Sequence, residues 1–372
     1  MESRGMPPFM NEGQPGSVVE RVGMRQFDCA RWLKAGCHRE NNSYRGASKI
    51  FAEHRYRYSY AVYGVTLLTD LPLSLPEASS SDVVVAVDVV SPGEFPSASE
   101  RLVTDPDDFV QVAIREDDAV RMRFGSWFEI LVAPDGTRVL CCNLTDLPLP
   151  SFEAYLTNFA VSAALLRQGE EPLHATVVDI GGRAVGLLGP SGAGKSTLAA
   201  VLINRGGVLL TDDMLRVTFE ADAIFAQPGP YRIKLFSEPA DRYLRMGSNR
   251  GYWNPFGEKL IFEPSSSGDG RIPRRLSSLY RLEAPSSPLE LDRPSLERLA
   301  GVALFKTILS STIGTRLQSR RRLERQFLFA ERLARTLPVF RLTYSRNLDN
   351  IDYVADCVLD SLANQICEAP LC

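Results

Sequence analysis

The run Gly189-Pro190-Ser191-Gly192-Ala193-Gly194-Lys195-Ser196-Thr197 holds the densest chemistry in the chain. From Gly189 to Ser196 it satisfies the spacing G-x-x-x-x-G-K-[ST] in full. Each position has a physical reason. Gly189, Gly192 and Gly194 let the main chain around Ser191 and Ala193 close on phosphate oxygens and aim successive N–H groups inward. A helix starting at Lys195 offers the same anion its unpaired amides and the positive end of its dipole. The Lys195 ammonium can reach the β- and γ-phosphates, the Ser196 hydroxyl can ligand magnesium, and Thr197 supplies a neighbouring phosphate contact. The run therefore predicts a site for ATP with Mg2+.

Two acidic residues, Asp212-Asp213, begin 17 residues after Lys195. That interval holds one helix, one turn and one strand, so the strand returns beside the loop. A carboxylate closing such a strand is the usual device for holding the metal. With two, one can serve magnesium and the other can accept a proton from an attacking hydroxyl. His174 joins them by register. Leu173 to Ile180 and Arg183 to Leu188 are β-like runs around Gly181-Gly182, a two-residue hairpin turn. Ile180 then pairs with Arg183, and His174 falls opposite Gly189, at the mouth of the phosphate site. Register alone leaves open whether it tunes a carboxylate or is a structural histidine at a strand end.

The surrounding pattern supplies the elements that must hold these residues. Leu198, Val201 and Leu202 mark one helical face, Gly206-Gly207 ends that helix, and Val208 to Thr211 reads as a short buried strand. Upstream, Tyr56 to Leu68, Asp82 to Val90, Phe109 to Arg115, Ala119 to Phe124, Phe128 to Val132 and Thr137 to Cys142 are short β-branched or aromatic runs. Pro134-Asp135-Gly136 is a hairpin signal between the last two. Ser151 to Arg167 carries helical spacing. Beyond residue 215, short strands alternate with loops; Arg298 to Leu337 reads as helical, Val339 to Tyr344 as a strand and Ile351 to Ile366 as a last helix. The fold class expected is α/β (α+β overall). A poorly ordered tail covers 1–50, a β-rich N-terminal domain ending in a helix covers 56–168, and a P-loop catalytic domain covers 171–366.

Composition narrows the partners. With 42 basic and 45 acidic residues the net charge is −3, which points away from nucleic acid. No apolar run is long enough to span a membrane, and the charged start lacks a secretory apolar segment. A cytoplasmic protein is expected. Seven cysteines without a CxxC pair suit free thiols, and Cys141 and Cys142, adjacent in one strand, should face opposite sides. Three histidines without paired spacing argue against zinc. Arg232, Lys234 and Lys259 read as solvated charges or as contacts to phosphate or an acidic substrate. Residues 316–335 hold seven arginines and two glutamates. Leu323, Phe327, Ala330, Ala334 and Leu337 step through this region as the apolar side of a helix whose arginines face water, or face an acidic peptide. Trp127 and Trp253 read as packing residues.

From Leu173 to Val217 the chain resembles the catalytic core of HPr kinase/phosphorylase, a bacterial serine kinase acting on a phosphocarrier protein. The shared features are His174 before a glycine turn, the loop Gly189 to Ser196, and Asp212-Asp213 after a short strand. The resemblance implies a P-loop HPr-kinase-like catalytic domain. It implies Asp212 as general base assisted by His174, Lys195 on the phosphates, and Ser196 with Asp213 at the metal. Pro190 and Thr197 depart from that family's loop. No copy of its downstream Glu-x-Arg-Gly segment is found, and Pro230 to Leu235 stands there instead. The wider layout resembles HPr-kinase-like proteins found beside peptide-modification genes, some of which phosphorylate a serine of a lasso-peptide precursor. The expectation is ATP- and Mg-dependent transfer to a serine of a peptide or protein, with a homo-oligomer compatible. The alternatives are another P-loop ATPase, disfavoured by the early acidic pair and the missing LSGGQ-like segment, and a non-catalytic nucleotide-binding regulator of a modification complex.

Overall fold

The computed structural model describes residues 56–78, 81–95, 99–244, 247–253, 257–264, 272–285 and 293–367. The tail expected over 1–50 lies outside them. The chain is mixed α/β, with helices packed on two large sheets.

The first sheet uses β1 (Tyr58–Val62), β2 (Val65–Thr69), β3 (Val84–Val89), β4 (Glu100–Leu102), β5 (Val110–Arg115), β6 (Val120–Phe124), β7 (Phe128–Val132) and β8 (Arg138–Asn143). Their order is β1-β2-β3-β8-β7-β6-β5-β4, antiparallel except where β3 meets β2 and β8. The Pro134-Asp135-Gly136 turn joins β7 to β8 with Val132 opposite Val139. The run Tyr56 to Leu68 is two strands rather than one. It folds back at Tyr63-Gly64, both left-handed at φ 54 and 68°. Tyrosine is not a usual turn residue, so nothing local announces this turn. Cys141 and Cys142 are buried free thiols in separate apolar clusters, as their opposite orientations require.

One face of this sheet packs on α1 (Leu149–Tyr155) and α2 (Val161–Gln168), joined by a π-turn at Leu156–Ala160. In the π-turn the Val161 N–H reaches the Leu156 carbonyl, five residues back. Phe124, Phe128, Phe152, Tyr155 and Phe159 interlock there with ring centroids 4.4–5.8 Å apart.

The second half runs β9 (Ala175–Ile180), β10 (Arg183–Leu188), α3 (Lys195–Asn204), β11 (Val208–Thr211), β12 (Val217–Glu220), β13 (Ala223–Ala226), β14 (Ile233–Leu235), α4 (Ser237–Tyr243), β15 (Ser248–Tyr252), β16 (Leu260–Glu263), β17 (Arg274–Glu283), β18 (Ser295–Arg298), α5 (Gly301–Ser310), α6 (Arg320–Thr336), β19 (Val339–Thr343) and α7 (Ile351–Cys367). The main sheet is ordered β11-β9-β10-β17-β13-β12, and β19 pairs with β17 and β18. Around Gly181-Gly182 the register is as expected, with Ile180 opposite Arg183 and Ala175 opposite Leu188. Alternation sends Val178 to the side of α3 and α7, and Val177 to the side of α5 and α6, so both faces are covered. Gly206 ends α3 at φ 94°, and the Gly207 N–H closes on the Leu202 carbonyl. A smaller sheet, β14-β16-β15, lies beside the first turn of α3.

The stretch Arg298 to Leu337 is not one helix. It holds the end of β18, then α5, then α6, which Ser319 caps by accepting from the Arg322 N–H. The buried face of α6 is also rotated from the expected stripe. Arg322, Gln326, Ala330 and Leu333 are buried, whereas Leu323 and Phe327 are exposed. The cause is Glu171, a buried carboxylate that accepts from Arg322 at 3.1 Å and Arg325 at 2.8 Å and draws the first of them into the core.

Candidate functional site

Strand β10 delivers the chain into the glycine-rich loop, and α3 leaves it. Gly189, Gly192 and Gly194 take φ of 143, 79 and 93°, conformations that only glycine adopts without strain. A Cβ on Gly194 would stand 2.5 Å from the Tyr344 hydroxyl. That hydroxyl donates to the Ala193 carbonyl at 2.9 Å and pins the loop from the end of β19. No side chain caps α3, so its first amides are left for another acceptor. Ser191 and Gly192 lie at the exposed tip, Ala193 is buried beneath, and Ser196 and Thr197 are half-buried on the first turn.

Lys195 is only 6% exposed. Its ammonium donates to the Gly189 carbonyl at 2.8 Å, the Pro190 carbonyl at 3.1 Å and His174 Nε2 at 3.0 Å. His174 Nδ1 lies 3.0 Å from the main-chain carbonyl of Asp213. A carbonyl can only accept and an ammonium can only donate, so the partners assign the neutral tautomer with hydrogen on Nδ1. Burial first, then the Lys195 charge, hold the imidazole down at about 4. Burial likewise pulls Lys195 down to about 8, against the attraction of Asp212.

The two aspartates differ sharply. Asp212, 5% exposed, ends β11 and is surrounded by donors. Its Oδ1 accepts from Thr176 at 2.6 Å and Ser196 at 3.2 Å, and its Oδ2 accepts from the Lys234 N–H at 3.0 Å. Asp213 is left-handed at φ 70°, which turns its carboxylate to a different set of partners. Its Oδ2 accepts from Asn158 Nδ2 at 3.0 Å and pairs with the Lys234 ammonium. Ser196 therefore bonds to Asp212, not Asp213. His174 touches the main chain of Asp213 and not the Asp212 carboxylate.

Lys234 is buried rather than solvated. Its ammonium stands 3.7 Å over the Trp253 ring, whose other face stacks on Tyr155 at 4.7 Å. Burial, with Lys259 and Lys195 adding to it and Asp212 opposing, brings Lys234 to about 7. Lys259 lies near enough to depress His174, Lys195 and Lys234 alike. Arg232 does not join them. It is buried against Glu153, with Nη1 to Oε1 at 2.7 Å.

No family model matches the chain, and no curated protein matches it. Among solved structures it is similar to the HPr(Ser) kinase/phosphatase from Coxiella burnetii. The identity is 13% and the TM-score 0.29, over 52% of this chain and 97% of that one. A score of that size is too low for residues to be carried across, and the site stands on its own distances.

Those distances fit a polyanion with a hard divalent cation. Among the described residues no group of three or more His, Cys, Asp or Glu side chains could hold a metal by itself. What the site offers is one buried carboxylate hydrogen-bonded to one hydroxyl at a helix N-terminus. That sparse oxygen set suits magnesium, which keeps waters and shares a ligand's phosphate oxygens. The Lys195 and Lys234 ammoniums are buried here, and Lys259 is near enough to act on both. A separate concavity of about 1750 Å³ opens at the Gly181-Gly182 end of the sheet, away from the loop. Among the described residues no helix is long and apolar enough to cross a membrane.

Several members of the site were not foreseen. Thr176 had a signal: it follows His174 by two residues in one strand and so shares its face. Asn158 left only the trace of a polar residue in an apolar helix, and Tyr344 and the Lys234 amide left none, because each arrives from a distant segment.

Proposed function

We propose that the chain binds ATP at the P-loop Gly189 to Ser196 and transfers its terminal phosphoryl group to a serine hydroxyl of a peptide or protein. One observation carries the reading: a strand-end carboxylate, Asp212, is hydrogen-bonded to the P-loop hydroxyl of Ser196, beside a buried Lys195. Loop glycines, α3 amides and Lys195 bind the phosphates, with Thr197 on the first turn beside them. Ser196 and Asp212 would hold magnesium, which would supply neutralisation of phosphate charge. Asp212 is engaged by three donors, so the proton acceptor in this reading is Asp213, nearer the mouth. As the acceptor oxygen bonds to the γ-phosphorus, the bond from phosphorus to the bridging oxygen of ADP breaks, and the acceptor's proton passes to Asp213. His174 holds Lys195 and the Asp213 main chain in place. Lys234 and Lys259 add charge neutralisation.

The test is incubation with γ-labelled ATP, Mg2+ and serine-bearing peptides encoded beside the gene, read by mass spectrometry. Phosphopeptide with the wild type is the expected product. Lys195→Ala should abolish nucleotide binding. Asp213→Asn should bind MgATP and fail to transfer; equal turnover by that variant removes the base assignment. ADP without phosphopeptide would point to an ATPase, and binding without turnover to a regulator.

A further inference from the structure

The front sheet enters the site through one side chain. Tyr63, at the tip of the β1–β2 hairpin, is 0% exposed. Its N–H donates to the Pro228 carbonyl at 2.7 Å, and its own carbonyl accepts from Arg216 at 3.2 Å. The ring packs so closely that a Cβ on Gly229 would come within 2.6 Å of Tyr63 Cε1. Its hydroxyl donates to Asn158 Oδ1 at 3.3 Å. Asn158 sits in the π-turn between α1 and α2, buried, and its Nδ2 donates to Asp213 Oδ2 at 3.0 Å. A carboxylate only accepts, which fixes Nδ2 on Asp213 and leaves Oδ1 for the phenol. Burial pushes the Tyr63 phenol well up, so it stays a donor. A π-turn inserts one residue into a helix and re-aims the side chains around it, and such turns recur at functional sites.

We infer that Asn158 is a positioning residue for Asp213, itself held by the Tyr63 hydroxyl, so that the front sheet completes the phosphoryl-transfer site through a chain of two hydrogen bonds. This rests on Asp213 taking the acceptor's proton. The geometry gives the reason two partners are needed. Lys234 is an ammonium on a flexible stem and holds Asp213 by charge without fixing its rotation. The Asn158 amide, locked by a buried phenol, supplies direction.

The experiment uses the full chain and measures ADP release from MgATP with water as acceptor, MgATP affinity by calorimetry, and thermal stability. Asn158→Ala should lower kcat about tenfold or more while leaving MgATP affinity within about twofold, because misdirection of a catalytic group acts on turnover and not on ground-state binding. Tyr63→Phe removes only the hydroxyl and should lower kcat about threefold with the same split. On the residual ADP release of an Asp213→Asn background, adding Asn158→Ala should cost nothing further, since the group it aims is gone. A merely structural role would act equally in both backgrounds. Unchanged kcat in Asn158→Ala, or full additivity with Asp213→Asn, overturns the positioning role. If Asn158→Ala does not fold, Tyr63→Phe decides alone, and undiminished kcat overturns it. A wild type that neither forms phosphopeptide nor releases ADP, or an Asp213→Asn variant as active as wild type, instead removes the functional reading beneath it.

Discussion

Acid should destabilise this protein through His174 in a way that one variant can isolate. In the fold the imidazole gives its Nδ1 hydrogen to the Asp213 carbonyl and accepts the Lys195 ammonium at Nε2. Burial opposes a second proton first; that proton would also set N–H against the Lys195 ammonium, with Lys234 and Lys259 pressing in the same direction and Asp212 opposing. The ring therefore stays neutral down to about 4, against 6.5 for an ordinary histidine. Between those values the unfolded chain binds a proton that the native chain refuses. Stability must then fall as pH drops through 6.5 and stop falling below the folded value. At 1.36 kcal/mol per pH unit the full loss is about 3 kcal/mol, of which about 2 kcal/mol has appeared by pH 5.

The assay is urea unfolding at pH 7 and pH 5 on wild type and His174→Asn, which keeps a donor for the Asp213 carbonyl and cannot titrate. Carboxylates elsewhere contribute to both proteins and cancel in the difference. The wild type should lose about 2 kcal/mol more than the variant over that interval. Parallel losses in the two proteins would show that the imidazole is not confined between Lys195 and Asp213 as described.

Further outcomes follow from the packing around the site. Glu153→Ala leaves Arg232 buried without its carboxylate and should cost about 3–5 kcal/mol in urea unfolding, much of it recovered by the double variant with Arg232→Met. Gly194→Ala should lower MgATP affinity at least about tenfold by calorimetry, since φ 93° and the Tyr344 hydroxyl both oppose a Cβ. Gly182→Ala, at φ 85° with nothing within 4 Å, meets no such contact. It should cost only about 1 kcal/mol of stability and leave that affinity intact.

What the sequence disclosed is what short-range chemistry writes into it. The Gly181-Gly182 turn fixes the pairing of Ile180 with Arg183, and alternation then carries the register to Ala175 and Leu188. Glycines at 189, 192 and 194, with a helix pattern behind them, announce a loop that wraps closely. The acidic pair is visible because it closes a four-residue apolar strand. Its division of labour is not, because it depends on the left-handed turn of Asp213, which residue type permits but does not demand. The arginine-rich helix misled for a related reason. Its period is legible, but the direction it faces is set by Glu171, 151 residues before Arg322. Asn158 reaches Asp213 across 55 residues and Tyr63 reaches Asn158 across 95. A polar residue inside an apolar helix is the sole trace such a contact leaves.

The charge balance of the site argues for the form in which its ligand arrives. His174 is neutral, so three ammoniums stand against two carboxylates, and the N-terminus of α3 adds about half a positive charge. Asp212 is engaged by hydroxyls and an amide, so it neutralises no ammonium by contact; only Asp213 pairs with one. Burial, and after it the neighbouring ammoniums, brings Lys195 to about 8 and Lys234 to about 7 against the attraction of Asp212. An anion entering beside them offsets the surplus and raises their proton affinities. A fully ionised triphosphate would overshoot a surplus of between one and two charges, whereas a triphosphate already carrying a divalent cation nearly cancels it. The Asp212–Ser196 pair stands at the head of α3, where that cation would be held, so the electrostatics and the donor set fit the proposed ligand, nucleotide and magnesium together.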